Sequence, residues 1–218
     1  GAVYTCVTGQ YDSMAHLKSH EYLDPAWDYI LYTDNEALLK NPTYGAWDVR
    51  PLEFSSLDPV RNSRRHKTHP HALLQNYDQS LWADGNVNIL TDFLFKKIRT
   101  ENHDLLIPRH FARTCIYQEA AAVKAAGIDD PALVDAEIDL EKAAGFPANY
   151  GLNETNILYR RHKNPEIIQL MEEWWAKYSK RDQLALSFIL WKHGITVESV
   201  SFENTRLMKD DFFTLAHR

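Results

Sequence analysis

Cysteine is scarce. Only Cys6 and Cys115 occur in 218 residues, both in apolar surroundings and without the paired spacing of a metal or redox motif, so chemistry through sulfur is not indicated. Two buried structural thiols are expected, and the spacing gives a disulfide no support. Long apolar runs are missing as well. Stretches such as Ala2 to Val7 and Leu186 to Trp191 fall far short of the roughly 20 residues that cross a bilayer, so no membrane span is expected. No charged leader with a cleavage site precedes the first run. The chain opens on Gly1 where a translation start would place Met, so it is expected to be trimmed, with any targeting segment outside it. Positive charge is not in excess either. A formal charge of −6 argues against general nucleic-acid binding, which needs a basic surface. There is no nucleophile elbow, Walker loop or dinucleotide glycine fingerprint, which lowers the case for a serine hydrolase, a P-loop nucleotidase or a Rossmann dehydrogenase.

What remains has the balance of a globular protein. With 44% hydrophobic and 25% charged residues, the chain can bury a substantial core. Runs rich in apolar and β-branched residues predict strands at 2–8 and 28–33, and further strands are expected at 47–51, 79–83 and 157–161. Asp58-Pro59 and Asn164-Pro165 each supply a capping side chain followed by proline at the first helical position. Helices are also expected at 112–126 and 131–144, stopped by Gly127 and Gly145, and from Asp182 to His193, stopped by Gly194. Ile168, Met171, Trp174, Trp175 and Tyr178 recur at helical spacing and read as core. Pro70 should break the helix begun at Asp58. Alternating strands and helices imply an α/β fold with a mainly parallel central sheet flanked by helices. With no repeat, low-complexity tract or linker, residues 1–218 read as a single domain. Its parts are a first half to about residue 90, a second half over about 91–200, and a closing segment 201–218.

The turn Asp84-Gly85-Asn86 follows a predicted buried strand. A carboxylate there, beside a second oxygen-bearing side chain, suits a hard divalent cation bridging two phosphates. Asp-Gly-Asn is also ordinary turn chemistry, and both readings stand at this point. Upstream lies a basic cluster, Arg61, Arg64, Arg65, His66, Lys67, His69 and His71. Arg64, Lys67 and His71 fall near one side of a helix or its end, and guanidinium and ammonium groups suit a compact phosphate anion. Arg64 and Lys67 are assigned to a diphosphate, Arg65 and His66 to a solvated face, and His69 and His71 to structural roles. His110 and Arg113 can reach a substrate from a loop, with Glu119 pairing to a nearby base. The stretch Gly151-Leu152-Asn153-Glu154-Thr155-Asn156 suits sugar hydroxyls, although a polar surface loop explains it equally well. Asp182, in Arg181-Asp182-Gln183, is also a good helix N-cap.

Read in order, these pieces resemble a glycosyltransferase-like family long labelled a domain of unknown function, with plant members in mucilage and cell-wall biology and bacterial relatives. Matching segments are Tyr4 to Asp12, Tyr32 to Asn35, Asp58 to Arg64, Lys67 to His71, Trp82 to Asn86, Arg113 to Glu119, Gly151 to Asn156 and Arg181 to Gln183. The resemblance implies a GT-A-like fold that sets a nucleotide diphosphate sugar donor against a glycan or other hydroxyl acceptor. It implies Mn2+ or Mg2+ held by Asp84, with Asn86 in place of a second acid; an amide is a weaker cation ligand than a carboxylate. Thr8, Gly9, Tyr11 and Asp34 would line the nucleotide site, and Arg64 and Lys67 would face its phosphates. Asn153, Glu154, Asp182, Gln183 and His110 would approach sugar and acceptor, with Asp182 or Glu154 orienting or deprotonating the acceptor hydroxyl. It implies the cytoplasm for a bacterial member and the Golgi lumen for a full-length plant one. Two other functions compete: a non-catalytic carbohydrate-binding or scaffolding protein on the same fold, and an amide or lipid hydrolase. The second lacks a metal-histidine cluster or an activated serine here.

Overall fold

A computed structural model describes residues 1–9, 17, 20–177 and 181–215. The first apolar run forms β1 (Ala2–Val7), and the second forms β2 (Asp28–Thr33). Asn35 caps the short α1 (Glu36–Leu39) through its side-chain oxygen, and β3 (Thr43–Tyr44) leads into β4 (Trp47–Pro51). Asp58 caps α2 (Pro59–Thr68) by accepting from the Arg61 amide at 3.1 Å. Pro70 ends that helix and opens α3 (Pro70–Leu73). There follow β5 (Ser80–Ala83), β6 (Val87–Ile89), α4 (Phe93–Thr100), β7 (Leu105–Pro108), α5 (Ile116–Ala125) and α6 (Pro131–Ala143). The chain continues through β8 (Ile157–Arg160), α7 (Pro165–Trp175), α8 (Asp182–Lys192), β9 (Ser201–Phe202) and β10 (Phe212–Thr214).

Eight strands make one sheet in the order β3-β4-β2-β1-β5-β8-β7-β9, and β10 pairs with β6 in a separate ribbon. β4, β2, β1 and β5 run parallel, β8 runs against β5 and β7, and β3 runs against β4. The sheet is therefore mainly parallel, as the alternation of elements implies. Alternate residues of a strand face opposite sides. Ala2, Tyr4 and Cys6 thus join a core with α5, α7 and α8, while Val3 and Val7 join another with Trp27, Leu81 and Phe95. Covered on both faces, the central strands are buried almost throughout.

Several expectations shift. Helix α5 begins at Ile116 rather than 112, because the His110 ring nitrogen accepts from the Ala112 and Arg113 amides and holds those residues in a turn. On α7 the buried stripe is Ile167, Leu170, Met171 and Trp174, one position off the expected phase at its start, and Tyr178 lies outside the described residues. Asp182 is the first residue of α8 and not its cap; Arg181 holds the cap position. His66, expected on a solvated face, is fully buried: its ring bonds the Asn62 carbonyl at 2.8 Å and accepts from the Glu53 amide at 3.1 Å. Cys6 and Cys115 are buried free thiols. Among the described residues no helix is long and apolar enough to cross a membrane.

Helix α6 buries two acids, Glu137 and Glu141, both wholly inaccessible. Burial, reinforced by the like charge of Glu137, pushes the Glu141 carboxyl up to about 8, against the pull of the Lys177 ammonium 3.8 Å away. A carboxyl whose folded pKa is raised stabilises the fold below its unfolded value of 4.5, and that contribution is lost as pH climbs through about 8. Replacing Glu141 by Gln removes the titration. The melting temperature of Glu141→Gln relative to the parent should therefore rise steadily between pH 4.5 and 8; a gap that stays constant across that range would count against a buried, proton-holding Glu141.

Candidate active site

Ligand crevices in open α/β sheets lie beyond the carboxyl ends of the strands. Here β1 ends at Val7 and delivers Thr8 and Gly9, and β5 ends at Ala83 and delivers Asp84-Gly85-Asn86. Because β8 is antiparallel to β5, the segment leading into it, Glu154-Thr155-Asn156, reaches the same edge. The Asp84 amide donates to the Asn156 carbonyl at 2.8 Å and locks those two segments together. Helix α2 is tied to β1 by the Thr8 hydroxyl, which donates to the Pro59 carbonyl (2.8 Å), and by Ser63, which donates to the Cys6 carbonyl (3.1 Å). Val60, Ser63, Arg64 and Lys67, at helical spacing, form one wall; the start of α8 forms another. Together they enclose a cavity of about 550 Å³, within the roughly 300–1,000 Å³ usual for small-molecule sites.

At its floor sits the Lys67 ammonium. It donates to Asp182 Oδ2 at 2.6 Å and to Thr155 Oγ1 at 3.2 Å, and lies 3.5 Å from Asp84 Oδ1. The Trp82 ring lies 5.5 Å from Nζ, and its indole N–H donates to the same Asp84 oxygen at 2.6 Å. The backbone of Lys67 is clamped too. Its carbonyl accepts from the buried Tyr4 hydroxyl (3.0 Å) and from the guanidinium of Arg160 (2.5 Å), which is itself wholly buried. Burial alone would push the Asp182 carboxyl up, but the Lys67 charge and hydrogen bond, aided by Arg181 and Arg64, bring it down to about 2. Asp182 is thus an anion across the physiological range and a weak proton acceptor.

The other candidates divide by placement. Arg64 lines the cavity from a buried position, its guanidinium anchored on the Trp174 carbonyl at 2.8 Å. Trp174 in turn donates from its indole to the Asp182 carbonyl at 2.8 Å, so one core tryptophan sets both α2 and α8. Thr8, Gly9, Glu154 and Gln183 also line the cavity. Gly9 has a φ of +63°, a conformation glycine adopts without a side-chain clash, and its amide donates to Asp34 at 3.0 Å. Asp34 holds that turn from outside the lining, and Tyr11 lies outside the described residues. His110 and Asn153, expected beside the sugar, do not line the cavity. The His110 ring is buried 3.6 Å from Glu119, and Asn153 donates to the Pro108 carbonyl (3.2 Å) and to Ser201 (2.8 Å). The loop 151–156, which composition allows at the surface, is buried from Leu152 to Asn156.

Sequence reading missed the contribution of the closing segment. Arg206 and Thr214 line the cavity. Arg206 pairs with Glu154 Oε1 at 2.7 Å while Asn204 donates to Oε2 at 2.7 Å, so the polar run around Glu154 grips residues 204–206. Asn156 donates to Thr205 at 2.9 Å. Asn86 donates from its side-chain amide to the Leu215 carbonyl at 2.7 Å, binding the end of the closing segment to the Asp84 turn. The only local sequence signal was the match between a buried-type polar run and the polar Asn204-Thr205-Arg206.

The divalent ion that the resemblance implies would draw its ligands from Asp84 and the side chains around it. Asp84 and Asp182 converge on one point, which the Lys67 ammonium fills. Asn86 commits its amide nitrogen to Leu215. Among the described residues no three His, Cys, Asp or Glu side chains gather in a metal-holding group. With the ammonium between them, the two carboxylates do not present an open pair of oxygens to a hard divalent cation.

The architecture is that of a glycosyltransferase fold: the chain matches the apo structure of the WbbM bifunctional glycosyltransferase with a TM-score of 0.53, over 94% of this chain and 38% of that one, at 12% identity. Residues 12–209 match the TOD1/MUCI70 glycosyltransferase-like domain, and the chain belongs to that family. A relative from Arabidopsis thaliana, named Probable hexosyltransferase MUCI70, is 28% identical over 200 residues, covering 78% of this chain and 33% of the relative. The chain thus spans about a third of the length of that curated relative.

Breaking a buried ion pair by removing one partner costs about 3–5 kcal/mol, because the other charge stays buried and unpaired. Lys67→Met should lower the unfolding free energy by about 3 kcal/mol. Adding Asp182→Asn should return at least about 1 kcal/mol of that loss. Strictly additive single and double variants in urea unfolding would show that the two side chains are not coupled.

Proposed function

We propose that this chain transfers a hexose-type sugar from a nucleoside diphosphate donor to a hydroxyl of an acceptor, of which a glycan is the leading class. The observation that carries the reading is the convergence of Arg64, Lys67 and Asp84 on one cavity at the carboxyl edge of the parallel strands. Family membership and the hexosyltransferase name of the relative support the reaction class. Lys67 has three N–H donors; two are placed on Asp182 and Thr155, and the third would take a phosphate oxygen.

In this reading the bond from the anomeric carbon to the diphosphate breaks, and its electron pair stays on the phosphate oxygen. The acceptor oxygen bonds the anomeric carbon, and its proton passes in net terms to the departing diphosphate. Arg64 and Lys67 stabilise the charge that develops on the leaving group. Thr8 and Gly9 shape the nucleoside end, where Asp34 fixes the turn. Glu154, Gln183 and Arg206 face sugar and acceptor, with Glu154 as the acceptor-orienting carboxylate. Asp182 serves to position Lys67, since a carboxyl held at about 2 makes a poor base at neutral pH.

A ligand that binds only the folded state stabilises it by about 2.7 kcal/mol at a hundred times its Kd. Uridine or guanosine diphosphate should raise the melting temperature, and one of their hexose conjugates should be hydrolysed slowly in the absence of acceptor. No shift and no hydrolysis across the panel would leave the carbohydrate-binding alternative in its place.

A further inference from the structure

We infer that this site holds its diphosphate without a divalent cation, the Lys67 ammonium being the built-in charge that a metal would otherwise supply. The inference rests on the donor-site reading above. Its first ground is occupancy of position. Two cavity carboxylates converge on one point, and Nζ stands there at 2.6 Å from Asp182 and 3.5 Å from Asp84.

The second ground is that Lys67 has little freedom to withdraw. Its residue is 6% exposed, and its carbonyl is held by Tyr4 from β1 and by Arg160 from β8. An ion entering between the carboxylates would have to displace an ammonium whose main chain is fixed to the centre of the sheet. The third ground is the state of the turn itself. The Asp84 oxygen nearest Lys67 already accepts from the Trp82 indole at 2.6 Å, and the Asn86 amide nitrogen ties the turn to the Leu215 carbonyl. One oxygen of Asp84, the acid that a strand-end metal site would recruit, is thus already engaged by protein donors.

The fourth ground is charge. Arg64, Lys67, Arg181 and Arg206 line the cavity against Asp84, Asp182 and Glu154. Protein cations therefore outnumber protein anions on the walls before any ligand enters. A diphosphate meets fixed donors that need no reorganisation when its leaving-group charge develops. Substituting an ammonium for a metal also changes the chemistry of failure: losing Lys67 leaves two carboxylates facing the same empty point, which is the donor arrangement a divalent ion requires.

Calorimetric titration of the full chain with uridine and guanosine diphosphate, once in excess EDTA and once in excess MnCl2, tests this without any variant. The affinities should agree within about twofold, a difference well under the 1.4 kcal/mol of a tenfold change. Mn2+ titrated alone should give no binding heat. Nucleotide binding seen only with Mn2+, or more than about tenfold tighter with it, would overturn the inference and leave the donor-site reading intact. Absence of binding in both arms would overturn the two together. Lys67→Ala, checked for folding by circular dichroism, supplies a second readout: it should bind the nucleotide weakly in EDTA and regain at least tenfold in Mn2+. A folded Lys67→Ala that is indifferent to Mn2+ would contradict the placement of Lys67 at the cation point. Should that variant not fold, the comparison in the parent protein decides alone.

Discussion

An ammonium fixed between two carboxylates at the rim of a buried sheet organises this molecule. Lys67 joins α2, the strand-end turn after β5 and the start of α8 through one atom. Each of those elements is otherwise anchored separately, α2 by Tyr4 and Arg160 and α8 by the Trp174 indole. A buried charge is tolerated where close partners offset it. Polar side chains near the edge are buried with it: Thr155 accepts from Lys67, Asn204 donates to Glu154, and Asn156 donates to Thr205.

The cavity follows from topology. Parallel strands β1 and β5 deliver their ends to one edge, and antiparallel β8 brings its beginning there, so three remote stretches of chain meet without a long loop. The ribbon of β6 and β10 then folds the closing segment back over the Asp84 turn, adding Arg206 and Thr214 to the walls. Residues 201–215 are thus part of the binding surface as well as a closure of the fold. The polar Gly151 to Asn156 run is the receptor for that closure, which accounts for its burial.

Much of the frame was legible because its signals are local. Strands β1, β2, β5 and β8 are short, mostly apolar runs with clear boundaries, and the caps at Asp58 and Asn164 sit before prolines. Strands β6 and β7 escaped because runs of three or four residues carry no usable period, and α4 because eight residues make little more than about two turns of helical pattern. The grouping of Arg64, Lys67 and Asp84 around one space was anticipated from spacing and resemblance. What could not be read was the direction in which polar groups spend their hydrogen bonds. Asp182 looked like a helix cap and is instead the partner of Lys67; Arg160, not singled out in the sequence, is the buried clamp on its carbonyl. Neighbours in space decide such matters, and Arg160 is 93 positions away from the residue it holds.

The central claim is that the Lys67 ammonium, kept in place by Asp84 and Asp182, is the group that meets a diphosphate. A crystal structure of the chain grown with uridine diphosphate and EDTA tests it most directly. The account predicts a phosphate oxygen within hydrogen-bonding distance of Lys67 Nζ while the contact to Asp182 persists. A diphosphate bound in another part of the molecule, or one seated in this cavity with Lys67 turned away from it, would contradict the account.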